Sequence, residues 1–189
     1  MPSPEARKLA LETEKDPRLV HLILQESTKV IRSKPGMLIT EHRLGFIMAG
    51  AGIDASNVGQ AGCVILLPKD PDNSAQQIAK AIKTATGLDV DIMITDSWGR
   101  AWRLGTAGFA IGSYGVPTVI DMRGIADLDG RPLETTTIGV GDELAAAASL
   151  LMGQAAEGIP VVIIRGYDYT HSSDTAADLI RPAEGDMFR

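Results

Sequence analysis

Proline and glycine cut this chain into short segments, and that punctuation restricts it to a fold of short helices and short strands. Pro35-Gly36, the run from Pro68 to Asn73, Gly87, the glycines at 105, 108, 112 and 115, and Gly153 each interrupt a hydrophobic pattern. Ser3-Pro4 and Asp16-Pro17 have the residue types of a helix N-cap followed by its first turn, so two helices open the chain. In the second, Leu19, Leu22, Ile23 and Val30 share a face while His21, Gln25, Glu26 and Lys29 lie elsewhere, which predicts helix through Val30. Residues 37–40 and 44–49 read as a hairpin joined through Glu41, His42 and Arg43. An apolar strand over 64–67 is followed by a helix that Ser74 caps and Gly87 closes.

Further on, 90–95 predicts a strand that delivers Asp96 and Ser97 at its end. Strands over 116–122 and 132–140 flank the turn Asp127-Leu128-Asp129-Gly130. Asp142 caps an Ala-rich helix over 143–152, 160–165 forms the last strand, and the tail beyond Gly166 is polar and irregular. Hairpins mixed with helices predict an α+β fold with mixed, partly antiparallel sheets and flanking helices, and residues 1–189 are expected to form one domain.

The net charge of −6 argues against a nucleic-acid partner, whose backbone is bound by clustered Lys and Arg. Cys63 is the only cysteine and lies in an apolar run, so a buried structural thiol inside the cell is expected. No apolar stretch is long enough to span a bilayer and no charged-then-apolar leader opens the chain, which places the protein in the cytoplasm without a membrane partner.

Loops and strand ends hold the residues suited to chemistry. Asp54 and Asn57 lie in one loop, Asp96 and Ser97 at one strand end. Their oxygens suit a hard cation such as Mg²⁺ or Mn²⁺, although aspartates in Gly-rich loops also serve as turn formers. Arg100 and Arg103 suit a bound phosphate or carboxylate, with surface ion pairing as the plainer role. Trp98 and Trp102 offer either a flat wall for a ring system or anchors for the loop. Gly153-Gln154, past the end of a helix, allows close approach to a ligand as well as a simple C-cap. The glycines spell no P-loop, and His42 and His171, without a Ser or Cys motif, are expected at the surface.

At these residues the sequence resembles the coenzyme F420-0:L-glutamate ligase family, the gamma-glutamyl ligases of coenzyme F420 biosynthesis. The resemblance rests on Ala51-Gly52-Ile53-Asp54-Ala55-Ser56-Asn57-Val58, Ile94-Thr95-Asp96-Ser97-Trp98-Gly99-Arg100, Gly108-Phe109-Ala110-Ile111-Gly112, Asp127-Leu128-Asp129-Gly130-Arg131 and Gly141-Asp142-Glu143-Leu144-Ala145, continued to Leu151-Met152-Gly153. It implies a gamma-glutamyl ligase-like fold that forms an intertwined homodimer. It also implies two Mg²⁺ or Mn²⁺ ions per site, with K⁺ as a further cation, and GTP as co-substrate. Asp54, Asp96 and Ser97 then fall on metal ligands, and Gln154 on a ligand position where some members carry Glu. Asn57 falls on a nucleotide contact, as do Leu150, Leu151, Met152, Gly153, Gln154, Ala155, Ala156 and Glu157. The implied activity is GTP-dependent amide formation between L-glutamate and the deazaflavin coenzyme through an acyl phosphate, with Arg100 and Arg103 orienting the reacting anions.

Family members open with a segment that contributes to the GTP site, whereas here Met1-Pro2-Ser3-Pro4 leads straight into the helices that follow it. A second chain supplying that segment is therefore an expected partner, with weak GTP binding in its absence. The competing reading is a non-catalytic or partner-dependent subunit that binds metal or the coenzyme; a general phosphotransferase is a third.

Overall fold

The computed structural model describes residues 1–187. Its opening follows the predicted caps: Ser3 Oγ accepts from the Ala6 N–H at the start of α1 (Pro4–Thr13), and Asp16 Oδ1 accepts from the Arg18 N–H at the start of α2 (Pro17–Gln25). Each cap satisfies a donor that a helix start leaves open. The second helix is shorter than its apolar stripe predicts, because Ser27 Oγ donates to the Ile23 carbonyl at 2.6 Å, the acceptor that the next turn would use. The β-branched Thr28, Val30 and Ile31 then favour extended chain, and Ser27–Lys34 is β1.

Pro35 and Gly36 turn the chain, Gly36 at φ +78°, into β2 (Met37–His42), which pairs antiparallel with β1 so that Lys34 faces Met37. On its other edge β2 pairs with β3 (Ile47–Ala49), Ile39 opposite Ala49. The expected hairpin is thus the second of two, and it turns at residues 43–46. Ala6, Ala10, Val20, Ile23, Leu38 and Ala51 form the hydrophobic core beneath these elements.

His42, expected at the surface, is fully buried, because period-two alternation puts it on the inward face of β2 with Leu38 and Thr40. Its Nδ1 accepts from the Leu44 N–H at 3.0 Å, which leaves the ring proton on Nε2, 3.6 Å from a Glu26 oxygen. Burial, and secondarily the Arg43 charge, push its pKa below the ordinary histidine value. The unfolded chain therefore takes up this proton more readily than the folded one. Stability from the neutral ring is complete above a pH of about 6.5 and falls on acidification toward the folded-state pKa, by at most about 1.4 kcal/mol per pH unit. Urea midpoints are expected to drop further on acidification in the parent than in His42→Gln; equal drops would assign the loss to other groups.

α3 (Pro71–Thr86) begins a turn earlier than predicted, since Asp70 Oδ1 accepts from the Asn73 N–H at 2.9 Å and Pro71 suits the first position. Gly87, at φ +76°, caps its end. β4 (Ile92–Gly99) pairs with β5 (Thr106–Tyr114), and Asp96 and Ser97 lie within β4 rather than beyond it. The two long strands expected next contract to β6 (Ile120–Asp121) and β7 (Thr137–Ile138), an antiparallel pair around the predicted Asp127–Gly130 turn. α4 (Val140–Met152) starts at Val140 with no side-chain cap. Asp142 instead accepts from the Ala110 N–H of β5 at 3.0 Å, and burial raises its pKa.

β5 was legible only as a run of glycines, and the structure gives their reason. A Cβ on Gly108 would lie 2.5 Å from the Ala145 carbonyl oxygen of α4, and one on Gly112 would lie 2.5 Å from the Pro71 carbonyl carbon of α3. Gly108, Ala110 and Gly112 thus make a smooth face that lets helix backbone approach the strand.

Two further predicted strands do not form. Residues 64–67 reduce to a single bridge, Ile65 with Asp54, and Cys63 is exposed beside the Gly62 turn instead of buried. Residues 160–165 carry no strand assignment, Val161 and Ile163 remaining 74% and 72% exposed, because no ladder partner exists among the described residues. The architecture is α+β with small antiparallel sheets, and no helix among the described residues is long and apolar enough to cross a membrane.

The chain groups into two compact units. One comprises Met1–Leu67, Trp98–Thr106 and the segment from Pro182; the other comprises Pro68–Ser97 and Ala107–Arg181.

Candidate functional site

In the first unit, the loop after β3 begins with a 3₁₀ turn at Gly50–Gly52. Gly52 sits at φ +66°, where a Cβ would come within 2.9 Å of the Met48 sulfur and 3.1 Å of Leu67. Next, Asp54 exchanges both backbone hydrogen bonds with Ile65, at 3.1 and 2.8 Å, which anchors the loop from its far side. Its carboxylate accepts from the Ser56 N–H at 2.8 Å and from the Ser56 hydroxyl. Those bonds hold its carboxyl below the usual range, so Asp54 stands exposed and ionised. Asn57 follows at φ +53°, also exposed. Ser56 is the residue sequence reasoning passed over; an Asp-x-Ser spacing, which closes an Asx turn, was the available signal.

The loop beyond β4 carries Arg100 and Arg103. Arg100 Nη1 donates to the Gly105 carbonyl at 3.3 Å, holding the loop across its base, and both arginines are exposed. Trp98 is an anchor, its ring tilted 44° against Phe46 with centroids 5.9 Å apart. Trp102 takes neither the buried position nor an ordinary backbone: it is 81% exposed at φ +57°.

In the second unit, two distant parts of the sequence meet. Asp96 Oδ1 accepts from the Ser97 N–H at 2.7 Å, and Ser97 Oγ donates to Gln154 Oε1 at 2.8 Å. Two residues before Ser97 and Gln154, Thr95 Oγ1 lies 3.9 Å from the Met152 sulfur. α4 ends at Gly153, whose φ of +73° redirects the chain. A Cβ there would lie 2.1 Å from the Glu157 carboxyl carbon, so glycine is required for Glu157 to fold back and accept from the Ala155 N–H at 2.8 Å. That bond holds the Glu157 carboxyl below its ordinary value. Leu150 and Leu151 at the helix end are exposed, as are Ala155 and Ala156.

Among the described residues no group of three or more His, Cys, Asp or Glu is placed to hold a metal ion. Mg²⁺ needs only one or two protein carboxylates, and neighbouring ligands at ~2.05 Å from an octahedral ion lie about 2.9 Å apart. The 2.8 Å between Ser97 Oγ and Gln154 Oε1 matches that edge, with the Asp96 carboxylate on the adjoining residue. Asp54 and Asn57 belong to the other unit and stand as a separate cluster.

Comparison with known proteins gives a consistent picture. Residues 1–166 match the family model described as F420-0:Gamma-glutamyl ligase. The chain is 50% identical over 190 residues to the coenzyme F420:L-glutamate ligase of Methanothermobacter thermautotrophicus, covering 100% of this chain and 75% of that protein. It is 45% identical over 189 residues to the protein of the same name from Methanocaldococcus jannaschii, again covering 100% and 75%. With that of Archaeoglobus fulgidus it shares 40% identity over 188 residues, covering 100% and 74%.

Proposed function

The chain belongs to the F420-0:gamma-glutamyl ligase family and is a ligase, and from that premise we propose that it joins L-glutamate to the deazaflavin coenzyme F420-0 at the expense of GTP. The observation that carries the reading is the hydrogen bond from Ser97 Oγ to Gln154 Oε1, which joins the strand that holds Asp96 to the 150–157 segment as a small cluster of oxygen donors in a protein of net negative charge. Such a cluster suits Mg²⁺ or Mn²⁺, and the cation supplies neutralisation of phosphate charge when bound.

In the proposed reaction a carboxylate oxygen of the coenzyme attacks the γ-phosphorus of GTP, GDP leaves, and an acyl phosphate forms. The glutamate amine then attacks the acyl carbon. Phosphate departs with the C–O bond pair, the nitrogen loses a proton, and an amide remains. Asp96, Ser97 and Gln154 would hold a cation in the second unit, and Asp54 in the first would offer a further carboxylate for one. The backbone of Leu150 to Glu157 would contact the nucleotide in the second unit, and Asn57 is a nucleotide contact proposed for the first. Arg100 and Arg103, exposed on a loop fastened at Gly105, orient the coenzyme carboxylate or the transferring phosphate.

Mass spectrometry after incubation with GTP, Mg²⁺ or Mn²⁺, L-glutamate and the coenzyme is expected to show glutamylated product together with GDP. Release of GDP at the same rate without coenzyme or glutamate would overturn the reading in favour of a general phosphotransferase.

A homodimer belongs to the same proposal. Ile159, Val161, Ile163 and Ile164 are 45%, 74%, 72% and 45% exposed, and their backbone has no ladder partner among the described residues. Light scattering is expected to return twice the chain mass, and Val161→Lys with Ile163→Lys to return one. A parent that is monomeric at working concentrations would remove this part of the proposal.

A further inference from the structure

Apart from these clusters, the second unit contains a cavity of about 380 Å³ lined by Lys80, Lys83, Asp89, Asp91, Tyr114 and His171. Asp91 directly precedes β4, so at ~3.3 Å per residue it lies roughly 16 Å along the chain from Asp96. The cavity is therefore a different place from the Ser97–Gln154 contact.

One wall of it is built with care. Asp91 Oδ2 accepts from the Tyr169 hydroxyl at 2.7 Å, and Oδ1 lies 3.2 Å from His171 Nδ1. A carboxylate only accepts, so Nδ1 carries the proton in that bond and Nε2 is the nitrogen left over. Burial and Asp91 raise the Tyr169 hydroxyl to about 12, so it keeps its proton and stays a donor. Gly115, at φ +85°, makes room for this arrangement: a Cβ would lie 2.0 Å from Asp91 Oδ1 and 2.8 Å from His171 Cε1. The Ser172 N–H donates to the Gly115 carbonyl at 3.0 Å, and the Tyr114 ring meets the imidazole edge-on at 5.9 Å.

The lining holds two ammonium groups and two carboxylates, and their pairing leaves one ammonium without a carboxylate beside it. Asp91 is occupied by Tyr169 and His171, and Asp89 by Lys83 at 2.7 Å. Lys80 donates only to a neutral oxygen, Gln76 Oε1 at 2.9 Å, and among the described residues no carboxylate lies within ion-pair distance of it. One ammonium and one ring nitrogen thus border the cavity without an anionic partner, and His171 is exposed at its mouth.

We propose that this cavity is a binding site for a small oxyanion, a carboxylate or phosphate group, held between the Lys80 ammonium and His171 Nε2. A protonated ring donates from both nitrogens, Nδ1 to Asp91 and Nε2 to the ligand, whereas the neutral ring turns a lone pair on the anion. Binding therefore takes up a proton. The other ionisable groups facing the ring are Lys83, paired with Asp89, Asp91, bonded to Tyr169, and Tyr114.

The test is a titration of the ¹⁵N-labelled chain with sodium phosphate and, separately, sodium L-glutamate, at ionic strength held constant with sodium chloride. Saturable shifts centred on His171 and Lys80 are expected below about 10 mM for at least one anion, tighter near pH ~6 than near pH ~8. Response to phosphate alone assigns a phosphate group; response to glutamate assigns a carboxylate. Lys80→Ala, a surface change on α3, and His171→Gln are each expected to weaken binding about tenfold while the spectrum stays dispersed. Shifts that stay linear with both anions, or an affinity unchanged in Lys80→Ala, would overturn the proposal. Neither outcome depends on ligase turnover, so this site and the proposed reaction stand or fall separately.

Discussion

Asp96→Asn is expected to lower glutamyl transfer by about 10²- to 10³-fold, the loss typical when one electrostatic contact is removed from a reacting centre. The substitution keeps the side-chain shape and an oxygen that accepts from the Ser97 N–H, so β4 retains its local geometry. What it removes is the negative charge next to Ser97 in the chain, and a hard cation would lose the carboxylate it prefers. Turnover of parent and variant should be compared across a Mn²⁺ series, with calorimetric Mn²⁺ binding measured alongside. Asp129→Asn, in the exposed turn between β6 and β7, serves as the control of equal charge change. Parent-like turnover and Mn²⁺ affinity in Asp96→Asn would take this residue out of the reaction.

Gly112→Ala carries the largest effect on stability. The added carbon would lie 2.5 to 2.7 Å from the carbonyl carbon, carbonyl oxygen and Cβ of Pro71. Two of those atoms are helix backbone and cannot rotate away as a flexible side chain would. Forcing a methyl group into such a contact costs about 3 kcal/mol, and for a chain of this length that lowers the melting temperature by roughly 6 to 12 °C. Gly185→Ala, with no atom within 4 Å of the added carbon, is expected to change stability by less than about 0.5 kcal/mol. Similar melting temperatures for the two variants would show that β5 and α3 separate at little cost.

Much of the framework is written locally and was legible in the sequence. Ser3, Asp16, Gly87 and Gly153 act on backbone groups within a turn of themselves, and each marks the helix boundary its residue type implies. Failures came where a distant segment decides. Residues 160–165 have strand composition and no ladder partner among the described residues, while β5 has glycines that look like loop residues until the helices packed on it are known. The boundary of α2 was lost to a competing hydrogen bond from Ser27, which hydrophobic periodicity does not register.

The site was legible unevenly for the same reason. Family motifs identified Asp96, Ser97 and Gln154 separately, but a separation of 57 positions between Ser97 and Gln154 hides their contact. His42 was misplaced because alternation along β2 could not be phased before its neighbours Leu38 and Thr40 were known to face inward. The exposed Trp102 likewise departs from the anchoring role that its neighbour Trp98 fills.

The backbone passes between the two units at 67–68, 97–98 and 106–107, and again at 181–182. During synthesis, residues 98–106 therefore reach their own unit only after residues 68–97 of the other have left the ribosome. Neither half of the molecule can mature as an uninterrupted stretch, and completion of each waits on the other's translation. No single break in the gene yields either unit intact. Inserted or transplanted cassettes must accordingly respect the whole path of the chain, not a boundary drawn between its parts.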